Sequence, residues 1–312
     1  MRRAIGLLLI NAVFIFFMVL KAPVFVSGPN ISVILSNMAL ESIALAGLTL
    51  LLVGGLFDLS VDGVVAASGV LCATIMTAGI APVLAILASL CAGILVGWLN
   101  GFLVMHLKIN ALIATLGMWW MMSGVAFGLT RSITPYGFPD SFQILGQARV
   151  LGVRIYVWYA IVFLLISAVV LSYTKFGRHI YIMGGNKEAG RLFGIHIERT
   201  GVMLYVIMGF LAAFIGVVLC ARLNAGAPNA VDGMTMRVIA AAVIGGCSLS
   251  GGRGTVLVGL LGLLLLTMLS NAATILGIDP YWQKLIVGIV LLSALVLDSA
   301  GSKIRIKRRN TK

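Results

Sequence analysis

Residues 201–220 read GVMLYVIMGFLAAFIGVVLC, a run of twenty residues without a charged side chain. Twenty residues of α-helix rise about 30 Å, which matches the hydrocarbon thickness of a bilayer. A segment of this length and composition is typical of a transmembrane helix, because a helix satisfies its own backbone hydrogen bonds in lipid. The chain is therefore expected to cross a membrane here.

The same character extends over most of the 312 residues, of which 61% are hydrophobic and 10% charged. The mean hydropathy is +1.13. Soluble domains carry about 25% charged residues, so the composition excludes an ordinary soluble domain. Hydropathy instead predicts an all-α polytopic membrane protein, with residues 1–312 forming one transmembrane domain. The predicted spans cover about residues 4–25, 31–53, 63–80, 81–105, 110–130, 155–173, 201–220, 236–247, 255–275 and 281–297.

Basic residues decide the predicted orientation, because cytoplasmic loops of membrane proteins are enriched in Lys and Arg. The formal net charge is +13, from 22 Lys and Arg against 9 Asp and Glu. With ten spans, one face of the membrane receives fifteen of the basic residues and the other face seven. The richer face holds both termini, the loop at about 174–200 and a basic tail at 302–312, so these are expected in the cytoplasm. The segment 131–154 is then an external loop.

Two glycine patterns refine this prediction. Gly93, Gly97 and Gly101 recur every fourth residue in the fourth span and predict a flat strip for close packing of another helix. The eighth span is short and contains Gly245 and Gly246, which indicates a broken or partly re-entrant segment.

Several functional classes have no support in the sequence. The basic residues flank apolar spans, where they meet lipid headgroups, and they form no aromatic-interleaved stripe of the kind that nucleic-acid readers use. The four cysteines have no metal-binding or disulfide spacing. The three histidines lack metal-site spacing, and no serine nucleophile motif is present. An enzyme is therefore not expected.

One predicted cytoplasmic segment has the signals of a short helix suited to docking in a groove of a soluble partner. Asn186 is a favoured N-cap residue, Glu188 lies in the first turn where the helix dipole stabilises a carboxylate, and Gly194 can end the helix. Ala189, Leu192 and Phe193 fall on one face, at i, i+3 and i+4 spacing. A solvated loop helix is the alternative. The residues assigned to the partner contact are Gly184, Gly185, Asn186, Glu188, Ala189, Arg191, Leu192 and Gly194.

This segment resembles the cytoplasmic coupling loop of permeases in the ribose-type family of ATP-binding-cassette importers. Further matches follow in the family's order along nearly the whole chain: GGLFDLSV at 54–61, IATLG at 113–117, FPDSF at 138–142 and AAVIGGCSLSGGRGT at 241–255. The chain differs from the family at position 62, which is Asp where Gly is usual. It also has Gly190 where the coupling helix usually has alanine, and glycine weakens a helix by about 1 kcal/mol relative to alanine.

The resemblance implies a permease of the bacterial inner membrane that pairs with a second copy or a similar chain. It implies a cassette ATPase that uses ATP and Mg, and a periplasmic or extracellular solute-binding protein that delivers a monosaccharide. Nucleoside, autoinducer and branched-chain amino acid cargoes stay open. The chain has no GxxxxGK[ST] phosphate loop, so it is expected to bind no cofactor and to leave ATP hydrolysis to the partner. Residues 251–254 form either a tight cytoplasmic turn or a second ATPase contact.

Polar residues in or beside the spans are candidates for the translocation path. Asn37 and Glu41 are one turn apart in the second span, and a carboxylate in hydrocarbon costs about 2.5 kcal/mol or more unless it faces water or a partner. Asp58, in a glycine-rich turn, and Asn110 and Thr115, near helix ends, either line the path or cap helices. Capping is the favoured interpretation for Asp58 and Asn110, and Glu41 is the strongest candidate for the path.

An ion-coupled secondary transporter of a small polar solute is the alternative from another class. Such carriers place acids or other ion ligands at mid-membrane depth, and Glu41 is the one clear candidate of that kind. The coupling-like helix has no role in such a carrier, which favours the importer.

Overall fold

The structure is a computed structural model that describes residues 2–131 and 133–279, together with residues 282, 285, 288 and 289. Only residues 282, 285, 288 and 289 of the predicted span 281–297 are described. The basic tail at 302–312 lies outside the described residues. The elements in chain order are α1 (Arg2–Lys21), a 3-10 helix (Pro23–Val26), α2 (Gly28–Val53), α3 (Val61–Thr77), α4 (Pro82–Met105), α5 (Ala111–Thr130), α6 (Asp140–Gln147), β1 (Arg149–Val150), β2 (Val153–Arg154), α7 (Ile155–Tyr173), α8 (Lys175–Gly185), α9 (Lys187–Leu192), α10 (Ile197–Leu223), α11 (Met234–Ile244) and α12 (Val256–Ile275).

Nine of the ten predicted spans coincide with a helix, and seven of these helices are long and apolar enough to cross a membrane. The seven are α1, α2, α4, α5, α7, α10 and α12. The other two, α3 and α11, have 17 and 11 residues. The prediction of an all-α polytopic membrane protein is confirmed.

The centre of the bundle is α10, which packs against α4, α3 and α2. The glycine strip on α4 makes its close approach to α10 possible. A side chain at Gly97 would overlap the backbone of Tyr205, and a Cβ at Gly93 would lie 2.6 Å from the carbonyl oxygen of Gly209. A Cβ at Gly101 would likewise collide with α10. The predicted packing strip is confirmed, and its partner is α10.

Two short helices lie where the sequence predicts loops. Helix α6 occupies the predicted external loop, followed by the antiparallel pair of β1 and β2, and it buries Phe142 completely. Helix α8 occupies the first half of the predicted cytoplasmic loop. Its N-cap is Thr174, whose hydroxyl accepts a hydrogen bond from the Gly177 amide at 3.0 Å, and the helix buries Ile180 and Met183. Three glycines within α8 lower its helix propensity and conceal it from local sequence signals.

Helix α11 is the broken segment that Gly245 and Gly246 indicate in the sequence. Eleven residues rise only about 16 Å, roughly half of a crossing. The helix ends at Ile244 with Gly245 as its C-cap, and the next residue, Gly246, has a φ of +89°, a left-handed conformation that glycine adopts without strain. The chain then turns before α12.

Candidate translocation site and coupling surface

A cavity of about 470 Å³ lies between α2, α10, α11 and α12. Glu41 lines it and lies 13 residues after Gly28 and 12 residues before Val53 on α2. At 1.5 Å per residue these distances are about 20 and 18 Å, so Glu41 is near the middle of the span. Asn37, one turn earlier, lines the same cavity. The structure thus brings together the two strongest sequence candidates for the path.

Glu41 forms an ion pair with a residue that the sequence analysis did not assign to the site. Its Oε1 lies 2.7 Å from Nη2 of Arg237, in the first turn of α11. The Glu41 side chain is 14% exposed and that of Arg237 is 39% exposed, so both reach the cavity. Pairing offsets the cost of a carboxylate in the middle of a span. It also places the start of α11 level with the midpoint of α2.

Asp62, the position that departs from the family pattern, anchors the start of α11. Its carboxylate accepts hydrogen bonds from the amides of Gly233 and Thr235, at 3.0 and 2.9 Å, and from the Thr235 hydroxyl at 2.5 Å. These bonds satisfy donors that a helix N-terminus otherwise leaves unpaired. Asp62 therefore fixes α11 against α3, close to the Glu41–Arg237 pair. Local sequence could identify the unusual residue but not its distant partners.

A second cavity, of about 520 Å³, adjoins the first and shares Val33, Asn37 and Arg222 with it. Three arginines line this second cavity: Arg149, Arg154 and Arg222. The guanidinium of Arg222 lies 5.0 Å from the centre of the Tyr156 ring, which holds it at the junction of the two cavities. Together the cavities run from the β1–β2 hairpin to Glu41.

The other three path candidates make local structural contacts away from both cavities. Asp58 is buried and accepts hydrogen bonds from the Ser60 amide and hydroxyl, at 2.8 and 2.6 Å. The Thr115 hydroxyl accepts a bond from the Leu59 amide at 3.1 Å. Asn110 is the N-cap of α5. Asp58 and Thr115 thus stabilise the turn between α2 and α3, and Asn110 stabilises a helix end.

The predicted coupling segment contains the expected short helix. The Asn186 side-chain oxygen accepts a hydrogen bond from the Ala189 amide at 3.0 Å, so the predicted N-cap is confirmed. Glu188 lies exposed in the first turn of α9. Gly194 has a φ of +76° just beyond the end of the helix. Leu192 is 89% exposed, so its apolar side chain has no packing partner among the described residues.

One side of helix α9 contacts the start of α10. Arg191 Nη2 lies 2.5 Å from Glu198 Oε1. Gly190, which replaces the usual alanine, is buried, and a Cβ there would lie 3.0 Å from Cδ1 of Ile197. The packing of Ile197 therefore leaves little room for the methyl group of an alanine at position 190.

Three glycine-containing segments meet at the C-terminal end of α8. We name this region, which comprises residues 53–55, 181–185 and 251–254, the glycine junction. The Gly252 amide donates a hydrogen bond to the Val53 carbonyl at 2.8 Å, and the Tyr181 hydroxyl donates one to the Gly254 carbonyl at 2.6 Å. Burial raises the pKa of the Tyr181 hydroxyl, which keeps it protonated as a donor. The junction thus joins α8 to the C-terminal end of α2 and to the turn that connects α11 with α12.

Comparison with known proteins agrees with this architecture. A family model described as branched-chain amino acid transport system / permease component matches residues 30–295. The ribose import permease protein of Escherichia coli strain K12 is 34% identical over 282 residues, covering 89% of this chain and 88% of that protein. The ribose import permease protein of Bacillus subtilis strain 168 is 34% identical over 278 residues, 88% of this chain and 86% of that one. The L-arabinose transport system permease protein of E. coli strain K12 is 33% identical over 293 residues, 94% of this chain and 89% of that one. No solved structure is significantly similar to the chain.

Proposed function

The chain belongs to the permease component family of branched-chain amino acid transport systems, and from this membership we propose that it forms the membrane path of an ATP-binding-cassette importer for a monosaccharide. Its relatives named for ribose and L-arabinose support a sugar as the cargo. They do not favour the ion-coupled carrier.

The observation that carries the proposal is that one helix, α2, connects the two candidate regions. Its midpoint contributes Asn37 and Glu41 to the polar cavity, and its end at Val53 is bonded into the glycine junction next to α8. A displacement of α8 and α9 by a cytoplasmic partner can therefore reach the cavity through packed helices. This arrangement suits a path whose opening is driven from outside the permease.

The proposed topology has ten spans with both termini in the cytoplasm, and α11 as a half-length eighth segment. Of the path candidates, we assign Asn37 and Glu41 to the lining, whereas Asp58, Asn110 and Thr115 support the surrounding helices. The coupling surface comprises the exposed residues of α9 with the glycines at either end of it. Pairing with a second permease copy or a similar chain completes the path.

Energy enters through partner proteins in this proposal. A cassette ATPase that uses ATP and Mg docks on α9, and a periplasmic or extracellular solute-binding protein delivers the sugar to the outer face. Each partner shifts the permease between outward and inward states by binding one state better than the other. This chain binds no nucleotide and transports without catalysing a reaction.

Capture of the tagged chain from its own host in mild detergent, followed by mass spectrometry, tests these partnerships. The expected eluate contains a cassette ATPase and a solute-binding protein together with the permease. Their absence from eluates prepared both with and without prior crosslinking contradicts the importer assignment.

A further inference from the structure

We propose that the cavity at Glu41 is a selectivity site for an uncharged polyhydroxyl ligand, in which Glu41 and Arg237 bind adjacent hydroxyl groups. The inference rests on the proposed permease function and deepens it, because it assigns part of the cargo selectivity to side chains of this chain.

The charges around the cavity balance. Glu41, Arg222 and Arg237 line it, and Asp62 lies behind Arg237 at the start of α11. At this end of the path, without Arg149 and Arg154 of the second cavity, two carboxylates and two guanidinium groups have formal charges that sum to zero. An ionic ligand would add an uncompensated charge near the middle of a span, where charge is costly. A neutral ligand adds none.

The start of α11 is a place where an anion would otherwise bind, because a helix N-terminus presents free amides and a partial positive charge. Here the Asp62 carboxylate already accepts the amides of Gly233 and Thr235. An acidic cargo would have to compete with a carboxylate that is held by three hydrogen bonds. The protein's own acid therefore disfavours an anionic ligand at this helix end.

The Glu41–Arg237 pair retains hydrogen-bonding capacity that adjacent hydroxyl groups can use. Glu41 engages Arg237 through Oε1, and a carboxylate has further acceptor sites. On Arg237, Nη2 contacts Glu41, and the partly exposed guanidinium has further N–H donors that an accepting hydroxyl oxygen can use. A hydroxyl both donates and accepts, so two neighbouring hydroxyls can bridge the carboxylate and the guanidinium.

The remaining features of the cavity agree with such a ligand. Its volume of about 470 Å³ falls within the range of small-molecule pockets, about 300–1,000 Å³. Asn37, Thr267 and Asn271 contribute neutral donors and acceptors to the lining, and Val33 and Leu223 contribute exposed apolar surface. This mixture of polar edges and apolar faces is complementary to a sugar ring.

Saturation-transfer NMR on the purified permease in lipid nanodiscs, without ATPase or binding protein, tests the proposal. The probes are glucose, glucuronate and glucosamine, which share one ring and differ in charge. Wild-type protein is expected to transfer most saturation to glucose. Glu41→Gln leaves Arg237 unpaired and should shift the preference to glucuronate, whereas Arg237→Gln leaves Glu41 unpaired and should shift it to glucosamine. Each variant should bind glucose about tenfold more weakly, because a charge-assisted hydrogen bond is lost.

Glu198→Gln is the matched control, because it breaks an ion pair, with Arg191, that lies outside the cavity. Its probe preference should equal that of wild type. An equal loss of all three probes in both cavity variants would show a purely structural pair and overturn the proposal, as would a wild-type permease that transfers no saturation to glucose. Because no partner protein is present, this result is independent of the partner capture and uptake experiments that test the importer function.

Discussion

Gly184 has less room for a side chain than any other glycine of the glycine junction. An added Cβ would overlap the Val53 carbonyl and lie 2.6 Å from the Gly252 amide nitrogen. These neighbours are backbone atoms, which cannot rotate away as a flexible side chain can. The next residue, Gly185, faces open space. Of these two adjacent glycines in α8, the first has no room for a side chain and the second has ample room.

Gly184→Ala should therefore destabilise the permease, by about 1–3 kcal/mol as typical of overpacking. The change forces α8 away from the end of α2. A lowered melting temperature of the purified protein, measured in detergent, checks this expectation.

Gly185→Ala is the matched control, and its melting temperature should equal or slightly exceed that of wild type, because alanine favours the helix by about 1 kcal/mol. Equal melting temperatures for both alanine variants and wild type would show that the junction is not closely packed in the protein.

For individual residues, the sequence predicts contacts between positions that are close along the chain. It does not predict contacts between positions that are far apart along the chain. The Asn186 cap involves a residue three positions away, so its pattern is visible in the sequence. Glu41 is identifiable as an acid that needs a partner in lipid. Its partner Arg237 is brought to it by the packing of α2 and α11, and no local signal specifies that pairing.

Among the elements, α9 carries the proposed contact with the ATPase. Its first turn holds Glu188 and its end exposes Leu192, whereas Arg191 and Gly190 face α10. The helix is thus anchored on one side and open on the other. Such an arrangement provides a rigid projection for a partner groove.

Glu188→Arg should abolish ATP-dependent uptake while leaving membrane insertion and dimerisation intact. The charge reversal costs about 0.3–1 kcal/mol at the helix N-terminus, too little to unfold the protein, but it reverses the charge presented to the partner. Uptake and the oligomeric state in detergent are the measurements.

The conservative variant Glu188→Asp keeps the charge and should keep substantial uptake. Wild-type uptake by Glu188→Arg would contradict the assignment of α9 as the coupling helix.

The long apolar helices were predictable, because twenty residues without charge have one stable conformation in lipid. Helices α6 and α8 were not, since their stability comes from burying residues such as Phe142 and Ile180 against the bundle rather than from their own propensity. The short length of α11 was indicated by Gly245 and Gly246. Its depth became clear only from the contact between Glu41 and Arg237.

At the scale of the whole molecule, the proposed topology places the β1–β2 hairpin outside the cell and α9 in the cytoplasm. The orientation rests on the fifteen-to-seven distribution of basic residues, which depends on the predicted number of spans. Leu151, between the two strands, is 85% exposed and Leu192 is 89% exposed, so both sites can be labelled.

Single cysteines at these sites, in a background without Cys72, Cys91, Cys220 and Cys247, test the topology. A membrane-impermeant maleimide should label Leu151→Cys in intact cells whose outer barrier is permeable to it. Leu192→Cys should react only after the inner membrane is opened. Labelling of both sites in intact cells, or the reverse order, would contradict the proposed orientation.

The central claim is that ATP, supplied through a partner, drives transport through this chain. The direct measurement is solute accumulation by proteoliposomes that contain the permease with its copurifying ATPase and binding protein, using the solute that this binding protein carries. Accumulation is predicted to require ATP on the side that α9 faces and to persist with a protonophore. Accumulation that proceeds without ATP and collapses with the protonophore would contradict the account and identify an ion-coupled carrier.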